Sequence, residues 1–85
     1  MLTLIFTERL NEMYLELETK RCFPDGFTIL KAIGYWEDVK EKSLVIMIAG
    51  DIPESAVKAF CNTVKGINKQ ECLMVVTLPG NVSFI

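Results

Sequence analysis

Leu2 to Phe6 opens the chain as a short apolar run with the β-favouring Thr3 and Ile5 inside it, which predicts a buried strand. Thr7 follows where a helix N-cap is expected, with Glu8 in the first turn facing the positive end of the dipole. Leu10, Met13, Tyr14 and Leu17 then recur at helical spacing, while Arg9, Glu12 and Glu16 fall on other faces. Residues 8–20 therefore read as a helix. Met13, Leu15 and Leu17 also alternate with Tyr14, Glu16 and Glu18, so a half-buried strand stays open as the alternative.

Pro24-Asp25-Gly26 is a turn, with φ fixed at Pro and free at Gly. Phe27 to Trp36 reads as a strand, Glu37 to Lys42 as a charged connection, and Ser43 to Ala49 as a second strand completing a hairpin. Pro53 suits the first position of a helix, whose stripe is Val57, Phe60, Val64 and Ile67, with Ala56 and Cys61 beside it. Glu54, Lys58, Asn62 and Lys65 face water, and Gly66 is placed to end the helix. Leu73 to Leu78 predicts another strand, Pro79-Gly80-Asn81 turns, and Val82 to Ile85 predicts a short C-terminal strand. The order β-α-β-β-α-β gives an α+β class, a ferredoxin-like two-layer sandwich with an antiparallel sheet and two helices on one face.

The strands do not alternate apolar with polar, as a sheet with one wet face should. Val45, Met47 and Ala49 oppose Leu44, Ile46 and Ile48, and Leu73 and Val75 oppose Met74, Val76 and Leu78. Two helices cover only one face. A second copy on the helix-free face is the expectation, as a stacked dimer or a closed trimer, with a local cover by the N-terminal segment or the tail as the alternative.

Composition strengthens that reading. The 85 residues allow one domain, of which folding buries about 60–65% of the unfolded surface, yet 51% are hydrophobic and the mean hydropathy is +0.31. Nine basic and eleven acidic residues are well mixed, leaving no basic stripe for nucleic acid. Leu2 to Phe6 lacks a basic flank and meets Glu8 and Arg9 too soon for a signal peptide, and no apolar run approaches a membrane span. Free, buried thiols in a cytoplasmic protein are expected for Cys22, Cys61 and Cys72.

Chemistry is sparse. With no His and three scattered Cys, a single chain offers neither a four-ligand zinc site nor a His-activated nucleophile. Glu8, Glu12 and Glu16 read as a solvated helix face, Glu37-Asp38 as loop charges, and no phosphate-loop or dinucleotide motif is present. The chain reads as a non-enzyme without cofactor or metal. Gly34 weakens a strand and so marks a bulge or a close approach. Trp36 beside it can stack on a flat ligand or anchor an interface, and alternation puts Tyr35 on the other face, one ring for the core and one for an interface or cleft. Thr28, Gly34, Trp36, Lys40, Asn68 and Gln70 are the candidate ligand contacts, the last two as amides that can read a polar group.

RCFPDGFTILKAIGYW, EKSLVIMI and NKQECLMV together resemble a family of small bacterial and phage proteins with an RFPDGxTVxxxxGxW-type pattern, a resemblance that implies no activity. GFTILKAIGYW followed by loop, strand, helix and strand is similar to the PII-type signalling superfamily, which implies trimers of ferredoxin-like subunits with nucleotides in the clefts between them. Here Glu37–Lys42 is far shorter than the superfamily's regulatory loop, and GINKQE stands in place of its Gly-rich phosphate loop. The functional expectation is an oligomeric binding protein holding a small polar or nucleotide-like ligand at subunit clefts, such as a phage protein sequestering a host nucleotide signal. The alternatives are a protein-binding inhibitor or adaptor using a sheet edge or the Trp36 end, and an enzyme using intersubunit carboxylates.

Overall fold

A computed structural model describes all 85 residues as β1 (Leu2–Glu8), α1 (Glu12–Cys22), β2 (Thr28–Trp36), β3 (Val39–Ala49), α2 (Glu54–Asn68) and β4 (Met74–Leu78). The four strands form one sheet in the order β2-β3-β1-β4, with every neighbouring pair antiparallel. β1 and β2 are thus parallel with β3 between them, and β3 and β4 are parallel with β1 between them. The α+β class and the antiparallel sheet stand as expected, and the arrangement is compatible with a ferredoxin-like fold.

Register decides the two faces. Thr3 pairs with Ile48, Ile5 with Ile46 and Thr7 with Leu44, and all six are buried. Their side of the sheet meets Leu15 of α1, Phe23 after it, and Val57, Phe60 and Val64 of α2 in one core. Phe23 and Phe60 meet edge-on with centroids 5.3 Å apart, a favourable aromatic geometry. Both helices therefore lie on one side, and the other side is bare.

Several local expectations are corrected. Thr7 caps no helix: β1 runs on through Glu8, and α1 starts at Glu12 after Asn11, which takes the left-handed region at φ 51°. The helical reading of the segment holds, but its stripe does not. Leu10, Met13, Tyr14 and Leu17 are exposed, Met13 at 79%, while Leu15, Glu18 and Thr19 are buried. Polar residues can face inward here because they are satisfied locally, Thr19 by donating to the Leu15 carbonyl at 2.6 Å and Glu18 by accepting from Arg21 Nε at 3.1 Å.

Gly66 does not end α2. The helix continues to Asn68, and Lys69 takes the left-handed turn at φ 56°, its N–H bonded to the Lys65 carbonyl. Asn68 is buried in the position of the stripe expected for Ile67, which is exposed. The connection expected over Glu37–Lys42 shrinks to two residues, because Val39 to Lys42 already pair with β2. Residues 82–85 form no strand, which corrects the expected C-terminal element, and the tail is exposed, with Phe84 beside Leu2, Thr28, Met47 and Ala49 at one end of the helix-free face.

Candidate functional site

The β2–β3 ladder runs from Thr28↔Met47 to Trp36↔Val39, whereas β1 leaves β3 at Glu8↔Ser43, with one further bond from Arg9 N–H to the Lys42 carbonyl at 3.0 Å. Ile33 to Lys42 therefore projects past β1 as a two-stranded ribbon. Its two-residue turn places Glu37 and Asp38 at φ 48° and 65°, the positive-φ pair of a type I′ hairpin, although neither is a glycine. Trp36 lies on the bare side and Tyr35 on the helix side, each 70% exposed. The expected division of the aromatic pair into a core ring and an interface ring is thus corrected, since neither ring is in the core.

Thr28, Gly34 and Trp36 share the bare side of β2, as their partners Met47, Glu41 and Val39 show. Thr28 and Trp36 are eight residues apart, about 26 Å along a strand, so one small ligand does not touch both. Lys40, opposite Tyr35, is on the other side of the ribbon. The ladder passes through Gly34 without a bulge. Its close neighbour is within the chain, because a Cβ there would meet Ser43 Oγ at 2.9 Å.

Asn68 and Gln70 lie on the helix side at the end of β1. Asn68 Nδ2 donates to Gln70 Oε1 at 2.8 Å and Thr7 Oγ1 at 3.3 Å, and Asn68 Oδ1 accepts from Asn11 Nδ2 at 3.2 Å. Thr7 Oγ1 also donates to Gln70 Oε1 at 2.7 Å. These amides bind one another and tie β1, the start of α1 and the end of α2 together. The six candidate residues do not converge within one chain.

The bare side is apolar in successive cross-strand rows: Leu30-Val45-Phe6-Met74, then Thr28-Met47-Leu4-Val76, then Ala49-Leu2-Leu78. Ten of these eleven positions are apolar, and none belongs to the core. A second apolar surface, which the pattern had assigned to the interior, is the outer stripe of α1 formed by Met13, Tyr14 and Leu17.

The thiols are free, and none is buried: Cys22 and Cys61 are half-buried and Cys72 is exposed, which corrects the expectation of buried cysteines. Burial, and then a hydrogen bond to Glu18 at 3.4 Å, push the Cys22 thiol up, so the preceding Arg21 does not leave it a thiolate. Burial likewise pushes the Cys61 thiol up, against the opposing charge of Lys65. No group of three or more His, Cys, Asp or Glu side chains is placed to hold a metal ion. No helix is long and apolar enough to cross a membrane. Compared with known proteins, the chain matches no family model, and no curated protein resembles it significantly.

Proposed function

We propose that the protein is a non-enzymatic, self-associating ferredoxin-like subunit whose copies pack through the bare sheet face, with a small polar or nucleotide-like ligand held where they meet. One observation carries the reading: three consecutive cross-strand rows of apolar side chains lie outside the core on a face with no helix. Contiguous apolar surface of this kind is the signature of an interface, and stacked sheets bury it at a spacing of about 10 Å. The βαββαβ order and the strand order β2-β3-β1-β4 support the ferredoxin-like subunit.

The ligand part rests on the ribbon. Ile33 to Lys42 overhangs the sheet and would reach past the edge of a stacked neighbour, making a cleft walled by Trp36, with Lys40 left on the opposite side of the ribbon. A flat π-system against the indole is the chemistry that suits such a cleft. Asn68 and Gln70 leave the ligand set in this reading, since their hydrogen bonds are spent internally.

Native mass spectrometry of the purified protein at micromolar concentration tests the assembly. A dimer or larger species is expected, and a strict monomer would sink it. A thermal-shift screen of nucleotides and cyclic dinucleotides tests the cleft, with a rise in Tm abolished by Trp36→Ala as the expected result. The exposed aromatic ribbon favours a second reading, an adaptor that grips another protein through the Trp36 end. Capture of one host protein by that end, with no nucleotide shift, would favour it.

A further inference from the structure

A groove of about 650 Å³ runs between α2 and the edge strand β4, away from the bare sheet face and the ribbon. It exists because the buried row of α2, Val57, Phe60, Val64 and Asn68, seats the helix over Ile5, Ile46 and Ile48 and leaves the helix side of β4 unroofed. Val75 and Thr77 are exposed there as a result.

The groove is polar at its ends and apolar between them. α2 runs along β1 in the same direction: Gly50, just before α2, bonds Met1, and Asn68 at its end bonds Thr7. β4 runs the opposite way, with Thr77 beside Thr3 and Val75 beside Ile5. One end therefore holds Thr3 and Thr77, the middle Val57, Val75 and Leu73, and the other end Lys65 near Cys72. The wall from Glu54 to Lys65 spans eleven helical steps, about 16 Å.

Two side chains offer polar groups to the groove. Thr3 is only 2% exposed and lines the groove, and because no buried side-chain oxygen of the chain lacks a partner, its hydroxyl is open to the groove rather than sealed in the core. Lys65 has no carboxylate, whereas Lys58, the other cation on this wall, is held by Glu54 at 3.3 Å. The ammonium of Lys65 sits close enough to act on the Cys61 thiol inside the same groove.

We propose that this groove binds an amphipathic monocarboxylate: carboxylate at Lys65, an aliphatic body along Val57, Leu73 and Val75, and a hydroxyl or carbonyl at the far end hydrogen-bonded to Thr3. Its volume is that of a small-ligand site, and the few polar groups on apolar walls are the usual means of fixing orientation.

The probe is ω-hydroxydecanoate, and the readout is alkylation of the three thiols by N-ethylmaleimide, resolved by mass spectrometry. Cys61 and Cys72 line the groove and Cys22 does not, so the probe should slow the first two and leave Cys22 unchanged. Lys65→Glu should weaken protection about fivefold, the scale of one lost partly exposed ion pair. Thr3→Val, which keeps the side-chain shape, should erase the advantage of ω-hydroxydecanoate over decanoate, and circular dichroism checks that both variants fold. Absent protection, equal slowing at all three cysteines, or protection by decanol as strong as by the acid would each overturn the assignment.

Discussion

Thr7 Oγ1 donates to Gln70 Oε1 at 2.7 Å, joining residues 63 positions apart, and Asn68 binds both partners. Asn68→Ala would take one hydrogen bond each from buried Thr7, half-buried Gln70 and exposed Asn11. It should cost about 1–3 kcal/mol in urea unfolding. Thermal shifts with nucleotides should survive it, because the network is structural.

At the ribbon tip, Glu37 and Asp38 occupy a left-handed backbone that non-glycine residues adopt at a cost. Replacing the pair by Asn-Gly, the sequence that two-residue type I′ turns prefer, should stabilise the fold by about 1 kcal/mol. Equilibrium unfolding measures this. Unchanged or lower stability would mean that the turn is held by something other than local preference.

Glu18 gives the protein an acid limb. The hydrogen bond from Arg21 holds its carboxyl below the usual value of 4.5, outweighing burial, which acts in the opposite direction. A depressed folded pKa means that its contribution is complete above the unfolded value and drains away as pH falls through the folded one. Thermal melts should therefore lose Tm below about pH 4.5, and Glu18→Gln should flatten that loss while lowering Tm at neutral pH.

Leu30 stands in the first apolar row of the bare face and is 47% exposed. Leu30→Lys should leave the chain folded, since a surface change of this kind shifts stability by under about 0.5 kcal/mol. It should move the native mass spectrum toward monomer. A variant that assembles as well as the parent would place the interface elsewhere.

The four strands were legible as short apolar runs rich in β-branched residues between turn residues, and register confirms which residues of β2, β3 and β4 share a face. α2 was legible through Val57, Phe60 and Val64, three large apolar residues on one face. The buried face of α1 was misread because two of the three residues it buries, Glu18 and Thr19, are polar. Glu18 and Thr19 become buriable only through Arg21 and the Leu15 carbonyl, and hydropathy does not register such local bonds. Asn68 and Gln70 were noticed as amides, but their partner Thr7 lies at the far end of the sequence, so a structural knot looked like a ligand set. Gly34 looked like an opening for a ligand for the same reason: the neighbour that crowds it, Ser43, belongs to the next strand.

The outer stripe of α1 gives the subunit a second exposed apolar surface. Pairing through the bare sheets is self-complementary and saturates once two copies have met. Met13, Tyr14 and Leu17 belong to the helical layer, so they remain on the outside of such a pair, one set on each half. If copies pair as proposed, the pair is bivalent, and raising concentration should string pairs together through their helices after the sheets are already satisfied. A mass distribution stepping in even numbers would be the mark of that hierarchy.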